Sequence, residues 1–219
     1  MADGERMKNI TASLRYCVTA AASALPAAAW AHHVMGYGLP QTFMQGLLSG
    51  LGHPLIGLDH AAFIVATGFF LALVEGGMVG VLVLIGGTLA GAAMHLLGID
   101  VPAGEVGVAL SVILIGALVM ARRKIELTWV AAGLAVAGAL HGHAYAESIF
   151  GAETAPLGAY LIGFSLIQLA VAAAAFWFHR RIIAARESWV KPVSLGLGGI
   201  VSLVGIAFLA INIAVGTAG

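Results

Sequence analysis

The chain has 219 residues, 61% of them hydrophobic and 9% charged, with a formal net charge of zero. Soluble domains carry about 25% charged residues, so a mean hydropathy of +1.02 excludes an ordinary soluble protein and indicates an integral membrane one. A neutral chain offers no basic field for nucleic acid, and a single cysteine, Cys17, excludes a disulfide framework or a cysteine metal cage.

Residues 1–31 read as a cleavable signal peptide. Arg6, Lys8 and Arg15 make a positive start, an apolar run follows, and Ala29-Trp30-Ala31 supplies an A-x-A cleavage pattern. Residues 32–219 then form one transmembrane domain that opens on His32 and His33. The segment from about 43 to 55 is expected to be re-entrant or unwound, because Gly50, Gly52, Pro54 and Gly57 crowd its end. Six spans follow at about 56–74, 78–97, 104–121, 127–146, 156–178 and 193–213, each near the ~20 residues that cross the hydrocarbon. Charged or glycine-rich breaks separate them, the last running from His179 to Pro192. The expected fold class is therefore all-α: a polytopic membrane bundle of six helices with a broken segment before the first span. Gly87 and Gly91 are spaced for close helix packing.

Every lysine and arginine lies in the signal, in 122–124 or in 180–191. Six spans after an exported N-terminus put all three on the cytoplasmic side. The expected location is a bacterial inner membrane, with the mature N-terminus and the C-terminus periplasmic. Seven of the eight histidines then fall on the outer side: His32, His33, His53, His60, His95, His141 and His143. His179 sits beside Arg180 and Arg181, where an interfacial role is expected. Ionisable groups in a membrane bundle are costly and line polar paths or pair with each other. Imidazole with one or two carboxylates suits a divalent transition metal, with nickel, cobalt, zinc and copper all accepted by such ligands.

Spacing constrains the ligand set. On a straight helix His53 and His60 share a face but stand ~10 Å apart, and Asp59 points about 100° from His60. A shared site needs a broken backbone, which transporters provide with discontinuous helices. His141 and His143 lie about 200° apart on a helix, whereas His143 shares a face with Glu147. Either histidine reaches the first-span group, the other then orienting a ligand. His95 serves equally as a C-terminal cap. A polar network at a helix entry, with Asp59 bonding His60, is the lesser alternative for His53, Asp59 and His60, since capping does not account for three such groups within eight residues of apolar chain.

The stretch HPLIGLDH, with HGHAYAE further on, resembles the H-P-x-x-G-x-D-H signature and second histidine motif of the HupE/UreJ family. The resemblance implies a nickel or cobalt permease, often tied to hydrogenase or urease maturation, working as a secondary transporter. By position it implies His53, Asp59, His60 and His141 as core residues. His32, His95, His143 and Glu147 complete the candidate metal ligands. The competing readings are an intramembrane metalloenzyme and a metal-binding accessory subunit of a larger membrane complex. A membrane-complex partner or a homo-oligomer is compatible with the sequence.

Overall fold

The computed structural model describes residues 38–216, all helix and connecting turns. Residues 1–31, expected as a signal peptide, and His32 and His33 lie outside the described residues. Seven helices follow in order: α1 Phe43–Ile56, α2 Leu58–Leu71, α3 Met78–Leu96, α4 Gly104–Ala121, α5 Leu127–Glu147, α6 Thr154–Ala185 and α7 Glu187–Gly216. The described residues thus form an all-α bundle, as the hydropathy pattern predicts. Four helices, α3, α4, α6 and α7, are long and apolar enough to cross a membrane. The pair α1 and α2, bent by 79°, adds a fifth such unit. The α5 helix has 21 residues, a sufficient length, but carries His141 and His143 among its apolar positions.

Three close pairs build the bundle: α3 with α5, α4 with α7, and α1 with α6. The short α2 sits between them, touching α4, α6 and α7. Its residues Phe63, Ile64, Phe69, Phe70 and Leu71 are the centre of the main apolar core. Small residues set the close approaches. Gly87 and Gly91 lie on the backbone of Ala135 and Ala139, and Gly142 lies on that of Thr88. Because both positions advance together, α3 and α5 run parallel. Removing Cβ at such contacts lets membrane helices pack by dispersion alone.

Two expectations about elements need correction. The break expected before the first span is present at Gly57, but the segment 43–55 leading to it is helical, not unwound. Thr42 caps α1 by accepting from the Gln45 backbone N–H at 3.2 Å, while Gln45 Oε1 accepts from the Gln41 N–H at 2.8 Å. This is close to a capping box. The helix continues through Pro54 and breaks only at Gly57, whose φ of −68° and ψ of 108° are extended. Both halves then descend beside α6 in the same sense: Gly46 meets Pro156, Gly50 meets Tyr160, and Gly68 meets Ala172. The pair is one broken path from one end of the bundle toward the other, not a loop that returns.

The second correction concerns 179–192, expected as a connection. There α6 runs on to Ala185 and α7 starts at Glu187, with Pro192 inside it. Arginine, lysine, alanine and glutamate are strong helix formers, so charge ends the apolar stretch without ending the helix. Arg186 alone leaves helical geometry, with φ −150° and ψ 70°.

Candidate metal centre

The break at Gly57 places three polar side chains together inside the bundle. His53 comes from the last turn of α1, while Asp59 and His60 come from the first turn of α2; all three are buried. A Cβ at Gly57 would press on His60 Cδ2 and Asp59 Oδ1, so the junction leaves no room for a side chain. Asp59 sits where a helix N-terminus favours negative charge. Its Oδ1 is buried and has no hydrogen-bond partner among the described residues.

The fourth side chain arrives from α5. His141 is fully buried, and its Nδ1 lies 2.8 Å from His60 Nδ1. Phe63 stacks on the His141 ring at 4.0 Å. Ser111 of α4 fixes the tautomer. Its hydroxyl donates to the Val108 carbonyl at 2.7 Å, so its oxygen must accept from His141 Nε2–H at 2.9 Å. The His141 Nδ1 lone pair is thereby aimed at His60. Two nitrogens bound side by side to one ion at ~2.0–2.1 Å and at right angles stand about 3.0 Å apart. The His60–His141 pair is already at that spacing.

His53 is one ring further out, 6.1 Å from His60 between ring centres. It is held by Ser148, whose Oγ lies 3.1 Å from His53 Nδ1. Ser148 also donates to the Tyr145 carbonyl at 3.0 Å, and Tyr160 donates to the same carbonyl at 2.7 Å. With both hydroxyl hydrogens spent there, Ser148 accepts from His53 Nδ1–H. Tyr145 packs against His60, with ring centres 4.6 Å apart, and its own buried hydroxyl has no partner. A carboxylate oxygen without a partner among the described residues, beside three buried imidazoles, makes a donor set suited to a divalent transition ion.

The structure therefore gathers His53, Asp59, His60 and His141, and separates them from the other candidates. His95, His143 and Glu147 form a different group on the α3–α5 pair: His95 Nδ1 lies 3.3 Å from His143 Nε2. The two histidines of α5 face opposite ways, as their spacing of about 200° requires. The single pooled ligand set of the sequence reading is thus two sets. His179 also departs from expectation. It is fully buried, stacks on Phe69 at 3.6 Å, and donates from Nδ1 to the Phe69 carbonyl at 2.6 Å. Because α6 does not stop at the interface, His179 packs against the far end of α2.

Ser111 and Ser148 are the residues that sequence reasoning missed as orienting groups. Ser111 stood out only as a polar side chain in an apolar helix, and nothing marked Ser148. Hydrogen bonds of this kind typically tune metal affinity by roughly 10–100-fold. Ser111→Ala is expected to weaken metal binding by about that factor, measured by titrating the purified protein. An unchanged affinity would show that Ser111 does not set the His141 tautomer.

A family model described as HupE / UreJ protein matches residues 20–208. Protein HupE of Rhizobium leguminosarum bv. viciae is 36% identical over 133 residues, which cover 58% of this chain and 64% of that relative. The match thus spans a little under two thirds of the relative's length. No solved structure matches the chain.

Proposed function

The chain belongs to the HupE/UreJ family, and on that premise we propose that it carries a divalent transition-metal cation, nickel or cobalt, inward across the bacterial inner membrane. The observation that carries this reading is the His60–His141 pair at ligand spacing beside the unpartnered Asp59 Oδ1. A buried carboxylate oxygen without a partner is costly, and a cation arriving between it and the imidazoles removes that cost.

Charge supplies the direction. The segment 122–124 and Arg180, Arg181, Arg186 and Lys191 lie around the helix ends opposite the histidine-rich end. Positive residues favour the cytoplasmic side, which puts the histidines toward the periplasm. A hydrated cation enters there and exchanges waters for His53, Asp59, His60 and His141. The membrane potential favours inward movement by about 2.3 kcal/mol per charge per 100 mV, so by about 4.6 kcal/mol for a divalent ion.

Buried polar groups continue below the site. Thr67 of α2 is fully buried with its Oγ1 unpartnered. Gln168 of α6 donates to Thr88 of α3 at 3.4 Å, and His179 keeps an unpartnered Nε2 further down. These give a moving ion intermittent oxygen and nitrogen ligands along α2.

Accumulation of radioactive nickel and cobalt tests the reading, in bacterial cells stripped of their own uptake. Cells expressing the chain should accumulate metal. His60→Ala and His141→Ala should fall to background while remaining at normal levels in the membrane. Wild-type accumulation by both variants would sink the proposal.

A further inference from the structure

The uptake reading leaves His95, His143 and Glu147 unused. Each offers a ligand atom, and the three atoms lie within 4.8 Å of one another. The histidine rings meet edge to face, with centres 4.5 Å apart at 85°. Their facing nitrogens, 3.3 Å apart, match the roughly 3.4 Å between tetrahedral ligands bound at ~2.1 Å.

The scaffold behind these ligands is fixed by backbone. Gly98 has a positive φ of 74° and ends α3 in a Schellman turn, with Ile99 N–H donating to the Met94 carbonyl at 3.0 Å. That turn presents the Ile99 carbonyl 3.1 Å from His143 Nε2, where it accepts from the Nε2–H of the metal-free ring, so an ion binding at Nε2 must displace that proton to Nδ1. Phe150 stands edge-on to His95, 5.5 Å away. On α5, His143 and Glu147 are four residues apart and share a face. Burial is graded: His143 is buried, His95 half-buried and Glu147 exposed. The group therefore opens to water at the histidine-rich end, and the α5 backbone stands between it and the deeper His60–His141 pair.

We propose that His95, His143 and Glu147 form a second divalent transition-metal site, of the two-imidazole, one-carboxylate class. It exchanges with the outer solution through Glu147 and clips the ends of α3 and α5 together. Binding there does not depend on transport, although the identity of the ion as nickel or cobalt rests on the uptake reading. Two ligands come from one helix and one from its parallel neighbour, so an ion bound here fixes the spacing of a pair whose other face carries His141.

Counting bound nickel tests this on the full chain purified in detergent and equilibrated with nickel chloride. Differences from wild type are read, so ions held elsewhere cancel. His95→Ala and His143→Ala should each bind one ion fewer than wild type, and the double variant His60→Ala/His143→Ala two fewer. Exposed Glu147→Gln, which leaves packing untouched, should weaken one class of ions about tenfold. Nickel should still raise the thermal midpoint of His60→Ala but raise that of His60→Ala/His143→Ala less. Full occupancy in both His95→Ala and His143→Ala overturns the second site. Loss of an ion in His60→Ala alone does the same while leaving the uptake reading intact. Loss in His143→Ala and His95→Ala but not in His60→Ala supports the second site and defeats the deeper one.

Discussion

Asp59→Asn is expected to abolish metal uptake while leaving the protein at least as stable as wild type. The substitution keeps shape and volume, so packing at the Gly57 junction is preserved. What it removes is the negative charge whose Oδ1 has no partner. Losing one member of a buried, desolvated charge pair costs about 2–5 kcal/mol of binding. Taking about 3 kcal/mol as the middle of that range, affinity should fall by roughly a hundredfold. Stability moves the other way, because an unpartnered buried oxygen costs less on a neutral amide than on a carboxylate. Titration of purified protein with nickel, alongside a thermal melt, separates the two effects. A variant that binds and carries metal normally would remove Asp59 from the site. A variant that melts far below wild type would instead make Asp59 a structural group at the helix entry.

Gly142→Ala should have the largest effect on the fold. Gly142 lies between His141 and His143, and a methyl group there would overlap the Thr88 carbonyl and Cα of α3. Backbone cannot yield as a flexible side chain can, so α3 and α5 must separate. Overpacking of this kind costs about 1–3 kcal/mol, or a fall in melting temperature of roughly 2–4 °C per kcal/mol for a chain of this size. Both histidine groups should suffer together, since the α3–α5 distance sets the His95–His143 contact and α5 carries His141. Gly133→Ala on the same helix is the control. No atom lies within 4 Å of its added Cβ, and alanine is the better helix former. Its melting temperature and metal binding should match or exceed wild type. Equal melting temperatures for the two variants would show that the α3–α5 contact is looser than drawn.

Much of this was legible in the sequence, for physical reasons. Long apolar runs admit few structures besides membrane helices, and glycine spacing marked the α3 face that meets α5. The cluster around Gly57 was legible because histidine, aspartate and proline are hard to account for in lipid. What hydropathy could not show was where helices stop. The charged stretch after His179 and the glycine-rich stretch before Gly57 both lower apolarity, yet both are helical, held by strong helix formers in one case and by the Thr42 cap in the other. The division of the histidines into two groups was implicit in the two-residue spacing of His141 and His143. Resolving it required knowing that α3 and α4 lie on different sides of α5, a fact of tertiary packing.

The shortness of α2 bears on how the protein is made. Its 14 residues reach about 21 Å at 1.5 Å each, less than the ~30 Å of hydrocarbon. Lipid alone therefore assigns this segment no resting depth as it leaves the ribosome. Its depth comes from α4, α6 and α7, all synthesised later. The residues that define the deep centre are thus translated before the helices that hold them in place. A nascent chain arrested before α6 would hold the motif without the geometry.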